Sequence, residues 1–283
     1  MDLGNCSRDW TQMKTDKEDP SSSENVQEFV ETLTDEMHAF CGPIFIAPGL
    51  FTYPEQMIDS GTFSLVDTGQ RRLLVTCHHI WEAYLKFRSL NGDAVLCLAL
   101  GEGTPVIAFG SPEKQLIDVD SNLDLVVFDF EPSQIRVNNS AVNHKKAWFP
   151  VKDWPLLNVH DGDYVVLMGF PGKLIVKDGH TCSFSGQVLP FRVTGIGRER
   201  FYLFNDPNNS EVFSYTKNEL GGQSGSPAFK LCDEGARLVG FVKSGYKHPA
   251  TEGMASDDSS IFSGSLLLTH ASFLRQDGTL SRP

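Results

Sequence analysis

Short apolar bursts separated by turn residues run through most of this chain, and that texture predicts strands. After Cys41 the bursts fall at 43–47, 61–67, 72–76, 94–100, 105–109, 115–118 and 125–130. Asp67-Thr-Gly-Gln70 is a turn signal between the second and third, so a hairpin delivers Arg72–Thr76 to an end at Cys77. A second set follows Pro155, at 164–168, 173–176, 181–189, 200–204, 228–230 and 238–242. Two sets of about six strands, joined near residues 131–157, predict an all-β chain of two six-stranded antiparallel barrels rather than one sheet.

Three segments read as helices. Between Glu24 and Phe40, Val26, Phe29, Val30, Leu33 and Met37 recur at spacings that suit one amphipathic helix. Residues 80–90 read as a short helix stopped by Asn91-Gly92, and Ser263–Leu274 as a closing C-terminal helix. Residues 1–24 are polar and end in Asp19-Pro-Ser-Ser-Ser-Glu24, which buries too little apolar surface to offset the entropy of ordering. The expected organisation is therefore residues 1–40 as acidic leader and helix, 41–150 as first barrel, and 151–283 as second barrel with the closing helix.

Composition narrows the class. With 283 residues, 40% hydrophobic, one large core or two modest ones can form. The formal charge of -12 is concentrated at the front: the first 36 residues carry ten acids and three bases. No Lys/Arg stripe focuses a positive field, so nucleic acid is excluded as a partner, and residues 1–40 become the place for a regulatory one. No apolar stretch approaches the roughly 20 residues of a membrane span. The cysteines at 6, 41, 77, 97, 182 and 232 form no CxxC pair, and Met1-Asp-Leu-Gly-Asn-Cys6 lacks a basic start to a signal peptide, so free thiols in a reducing cytoplasmic setting are expected.

The chemistry begins at Gly221-Gly-Gln-Ser-Gly-Ser-Pro227. A serine hydroxyl needs a base to take its proton, and the oxyanion formed on attack needs fixed N–H donors. Gly221, Gly222 and Gly225 leave the backbone around Ser224 free to turn tightly and aim such donors inward. A base at the end of a buried strand is offered by Leu73-Leu-Val-Thr-Cys-His-His-Ile80, with His78 and His79 side by side. A carboxylate to orient it is offered by Asp124, which opens an apolar strand where an acid is costly unless paired; Asp118, Asp120 and Asp129 are neighbours of the same type. Each element has a plainer reading: a Gly/Ser turn, a structural histidine, a solvated strand-end acid.

Taken in the order His, Asp, Ser, the segments resemble the trypsin-like (chymotrypsin-fold) serine peptidases, in particular the bacterial and high-temperature-requirement branch, over residues 61–246. Thr76-Cys-His-His79 matches that family's Thr-x-x-His and so implies His79 as base. Asp124-Leu-Val-Val127 matches its aspartate strand. Gly222-Gln-Ser-Gly-Ser-Pro227 matches its nucleophile motif except that Ser226 replaces glycine. Residues 162–172 resemble the segment that opens the second barrel, and 238–245 the strand on which substrate backbone pairs. The resemblance implies a His79–Asp124–Ser224 triad, an oxyanion hole from the Gly222 and Ser224 amides, and substrate contacts from Asn218, Lys243, Ser244 and Gly245. It implies a protein or peptide substrate and neither metal nor organic cofactor. Asn218 brings no charge for a basic side chain, which points away from cleavage after Arg or Lys. The 59 residues after Ser224 are too few for a PDZ domain beyond the second barrel.

Rival readings are weaker. Cys77-His78-His79 has no further Cys/His group at ligand spacing. A nucleophile elbow of the α/β-hydrolase kind wants glycine at 226 and an alternating β and α pattern before residue 221. The rival of another class is a catalytically silent protease-fold module that binds a peptide or partner protein.

Overall fold

A computed structural model of the chain describes residues 39–49, 57–99, 106–130, 148–151, 154, 156, 159–170, 175–178, 181–205, 222–232, 235–247 and 264–282. The helix expected at 24–40, almost all of the acidic leader, and Asn218 lie outside the described residues.

The first half of the chain forms β1 (Cys41–Ala47), β2 (Ser60–Asp67), β3 (Arg72–Cys77), β4 (Val95–Ala99), β5 (Val106–Ala108), β6 (Leu116–Asp120), β7 (Leu125–Asp129) and β8 (Phe149–Pro150). Hydrogen bonds join them in the order β5-β4-β1-β2-β3-β7-β6, with β8 added alongside β2, so this sheet holds eight described strands where six were expected. The β2–β3 hairpin forms where the turn signal lies, with Asp67 opposite Arg72 and Gly69 at φ 79. The helix His78–Leu90 starts two residues earlier than expected and buries Ile80, Trp81 and Tyr84.

The second half supplies β9 (Tyr164–Gly169), β10 (Ile175–Asp178), β11 (Thr181–Phe184), β12 (Gln187–Ile196), β13 (Arg200–Asn205), β14 (Pro227–Cys232), β15 (Gly235–Lys247) and β16 (Gly264–His270). Six of these close into an antiparallel barrel, β12-β13-β16-β15-β14-β9, while β10 and β11 form a separate hairpin. The run 181–189, read as one strand, divides between β11 and β12.

The C-terminal helix expected over Ser263–Leu274 is not what forms. Residues 264–270 are β16, and only Ala271–Phe273 makes a single 3-10 turn. The apolar run Leu266-Leu-Leu268 carries no clear period, so a strand and a helix fit it equally. Tertiary context decides: β16 hydrogen-bonds β13 on one side and β15 on the other, buries Leu266 and Leu268, and leaves the barrel without an edge.

Apolar side chains pack in three groups. Ile44, Phe63, Leu74, Trp81 and Phe128 fill the first sheet, and Val165, Phe191, Leu203, Val239 and Leu268 fill the barrel. A third group joins Phe45, Val66, Val75 and Val127 of the first sheet to Val166, Met168, Phe229 and Phe241 of the barrel. Each such side chain contributes about 1.5–3 kcal/mol on burial, so the two β units are bound by a shared core. The chain is mostly β, in two units whose strands are antiparallel apart from the β2–β8 pair, and the site residues gather at the seam between them. No helix among the described residues is long and apolar enough to cross a membrane.

Candidate active site

The seam is organised around one buried carboxylate. Asp120 Oδ1 accepts the N–H groups of Asn122 (2.8 Å) and Leu123 (2.9 Å), which folds residues 121–124 into a tight turn after β6. The turn ends with Asp124 at φ 56, the left-handed region that Asp tolerates better than most residues. Asp124 is then aimed back at the start of the helix His78–Leu90, whose own capping residue, Cys77, makes no side-chain cap. The Asp124 carbonyl accepts the His78 N–H (3.1 Å) and its Oδ1 accepts the His79 N–H (2.9 Å). From the turn before β7, Asp124 thereby satisfies two helix N-terminal donors, one with its carbonyl and one with its carboxylate.

The second oxygen of the same carboxylate holds the imidazole: Asp124 Oδ2 lies 2.8 Å from His79 Nδ1. The carboxylate is buried, with 8% of its side chain exposed, while the histidine keeps 41% and opens to solvent. Burial pulls the His79 imidazole down, but the hydrogen bond and charge of Asp124 outweigh it and leave His79 above its ordinary value. Of the two histidines open in the sequence, His79 is thus the one on the carboxylate, and of the four acids, Asp124. Asp118 instead accepts the Leu280 N–H and pairs with Arg282, and Asp129 pairs with Arg71.

Ser224 is delivered by a loop tied to both units. Thr62 N–H donates to the Ser224 carbonyl (2.7 Å), the Thr62 hydroxyl to the Gly222 carbonyl (3.1 Å), and the Ser64 hydroxyl to the Gly225 carbonyl (3.0 Å). On the barrel side, Gly225 N–H donates to the Val242 carbonyl (2.8 Å) and Val242 N–H to the Ser226 carbonyl (2.9 Å). Three loop carbonyls are thus drawn towards β2. Among the described residues, neither the Gly222 nor the Ser224 N–H is taken by a backbone carbonyl. Gly225 is the residue this approach requires: it has φ 86, and a Cβ there would stand 2.1 Å from the Thr62 carbonyl oxygen. No hydrogen bond joins the Ser224 hydroxyl to His79 among the described residues.

Beneath the loop lies Gln223, fully buried, whose Oε1 accepts the Ser226 hydroxyl (2.9 Å) and whose Nε2 meets no partner among the described residues. Ser226, the departure from the family motif, therefore has its own task. Cys77 is fully buried at the end of β3, its Sγ 3.1 Å from the Val242 carbonyl. Burial, with the nearby Asp124 charge second, pushes its thiol well up. Cys77 Sγ, a His79 nitrogen and an Asp124 oxygen lie within 4.8 Å of one another, the one Cys/His/acid grouping of ligand size among the described residues. A thiol held protonated and an imidazole already engaged by the carboxylate make this donor set fit a proton-handling pair better than a metal.

The remaining candidates separate. Lys243 sits at an irregularity where the β15–β16 register shifts between Val242 and Ser244, and its Nζ donates to the Asn122 carbonyl (2.8 Å) rather than standing free as a pocket wall. Burial, then the Arg200 charge, lower its pKa against the pull of Asp124. Ser244 and Gly245 pair through β15 with Leu267 and Leu266 of β16, whereas the β14 pairing of β15 reaches only as far as Phe241. Thr62 and Ser64 carry no sequence signal that sets them apart from ordinary strand residues.

The structure is similar to that of a thermostable serine protease, AL20, from an extremophilic microorganism, with a TM-score of 0.45 and 12% identity over 82% of this chain and 91% of that one. It is similar to Deg5, with a TM-score of 0.46 and 15% identity over 77% and 86%. A mutant of the Tobacco Etch Virus protease gives a TM-score of 0.44 and 10% identity over 82% and 73%. These likenesses concern the fold alone. No protein-family model matches the sequence, and no curated protein matches it either.

Proposed function

We propose that this chain is a serine endopeptidase, hydrolysing peptide bonds through an acyl-enzyme at Ser224. The observation that carries the reading is the 2.8 Å contact between His79 Nδ1 and a buried Asp124 carboxylate, with His79 half open to solvent. An acid so buried is costly unless it holds a cation or a polarised N–H. Here it holds the imidazole in the tautomer that leaves Nε2 free to act as base.

In this mechanism Ser224 Oγ attacks the scissile carbonyl carbon while His79 Nε2 takes its proton. The charge that develops on the carbonyl oxygen is met by the Gly222 and Ser224 N–H groups, and Asp124 stabilises the imidazolium. Collapse expels the amine, which receives the proton from His79, and water repeats the cycle to free the acid. The β15 edge after Val242, paired with β16 on one side, offers its other side to an extended substrate backbone at Ser244 and Gly245. Cys77, Cys97 and Cys232 are free thiols, which supports a reducing, cytoplasmic setting. Domain limits near 41–150 and 151–283 belong to the same reading.

The test is labelling with a fluorophosphonate probe. Labelling lost in both Ser224→Ala and His79→Ala supports the enzyme. A folded wild-type chain that never labels, with or without cell extract, sinks this reading and leaves the binding module in its place.

A further inference from the structure

The turn that carries Asp124 is not held by its own unit alone. Asp120 accepts the N–H groups of Asn122 and Leu123, but the carbonyls of those two residues are taken by three strands of the barrel across the seam. Asn122 O accepts both Lys243 Nζ (2.8 Å, from β15) and Arg200 Nη2 (3.0 Å, from β13). Leu123 O accepts the buried Thr269 hydroxyl (2.6 Å, from β16). A backbone carbonyl has two lone pairs, and here both are met by cations.

Two features single out Lys243 among the three. It lies at the register shift between Val242 and Ser244, and a bulge of this sort turns one side chain out of the strand's regular alternation. Moreover, the turn it grips ends in the left-handed conformation at Asp124, and backbone strain in a non-glycine residue persists only where the surroundings over-determine it. The regular reading of a lysine on the substrate strand is a pocket wall, whereas its ammonium is committed to the acid's turn.

We propose that Lys243 is a positioning residue: from the irregularity in β15 it ties the Asn122–Asp124 turn to the barrel, fixing the Asp124 carboxylate on His79 and placing a positive charge behind that pair. This rests on the reading of His79 and Asp124 as the working base and acid, and its test does not depend on turnover. The groups that bear on His79 are Asp124 and Asp59, which raise its pKa, and Lys243, which lowers it. Those that bear on Lys243 are Arg200, Asp124, Cys77 and Glu199.

The experiment is proton NMR of the full chain, following the His79 Nδ1–H that bonds Asp124 and the titration of the His79 ring, in wild type, Lys243→Met and Lys243→Gln. Glutamine keeps a neutral donor for the Asn122 carbonyl and removes only the charge; methionine removes both. In Lys243→Met the low-field Nδ1–H signal is expected to broaden into solvent exchange. In Lys243→Gln that signal is expected to persist while the titration midpoint moves to higher pH, since the opposing charge is gone. A Nδ1–H as sharp in Lys243→Met as in wild type overturns the positioning role. If the methionine chain does not fold, the glutamine chain decides: a midpoint unmoved from wild type overturns the proposal. A wild type that shows these dependences yet never labels with fluorophosphonate leaves the role of Lys243 standing and removes the hydrolase.

Discussion

The base-and-acid side of the seam and the serine side are built on different principles. His79 and Asp124 are joined directly, by two hydrogen bonds, and the His78 N–H adds a third between the start of the helix and the end of the turn. The Ser224 hydroxyl has no such partner among the described residues; its position follows from hydrogen bonds that its own and its neighbours' main chain make to β2 on one side and β15 on the other. Asp124 grips His79 through side-chain chemistry, on a turn held by Asp120 from one unit and by barrel side chains from the other. Ser224 is located by main-chain packing, so its geometry depends on how the two units meet.

The largest expected effect breaks the first side. Asp124→Asn leaves a group of the same shape but favours the wrong tautomer of His79, and turnover is expected to fall on the order of 10⁴-fold while the fold survives. Steady-state kinetics beside a thermal melt checks both parts.

Gly225→Ala breaks the second side. The added Cβ meets the Thr62 carbonyl at 2.1 Å in a backbone conformation that alanine disfavours, and main chain cannot swing away as a side chain does. A loss of roughly 3 kcal/mol in urea unfolding is expected, together with loss of fluorophosphonate labelling in whatever remains folded. Near-wild-type stability and labelling would show that the loop is not pinned as described.

Ser64→Ala is a gentler probe of the same side. It removes one buried hydroxyl from the Gly225 carbonyl and leaves the His79–Asp124 pair untouched. About 1 kcal/mol of stability should be lost, with labelling slowed more than the His79 titration is moved.

The smallest effect is read in pH. Asp124 holds His79 above its ordinary value of about 6.5, so the acid limb of kcat/KM should lie above that value, because the base must be neutral. Linkage has a definite sign here. A folded pKa raised above the unfolded one gives stability that is full below about pH 6.5 and is lost as pH rises through the folded value. His79→Gln should therefore make the decline of Tm on the neutral-to-alkaline side shallower. His270 supplies the opposite sign: burial lowers its pKa, so its contribution is lost as pH falls below about 6.5.

Much of the strand structure was legible because short apolar runs ended in turn chemistry: β2, β3, β7 and β13 lie within a residue of their expected limits. Where the pattern had no period, as at Leu266-Leu-Leu268, a helix was expected and a strand formed, because barrel closure offered that segment two neighbouring edges. The helix beginning at His78 was read two residues short, since the group that completes its N-terminus, Asp124, is 45 positions further along the chain from His79.

The sequence by itself determined the chemistry available: a serine among glycines, two histidines at a strand end, an acid opening an apolar strand, and the resemblance that set them in order. It also determined the all-β class, because alternation and turn residues are local properties of the chain. Only the tertiary structure decided that Thr62 and Ser64 hold the serine's loop, and that Lys243 turns from the substrate strand to the Asn122 carbonyl. The physical reason is the same in each case. These are contacts between side chains and main chain far apart in sequence, and no local periodicity encodes the partner of a hydrogen bond that crosses the seam.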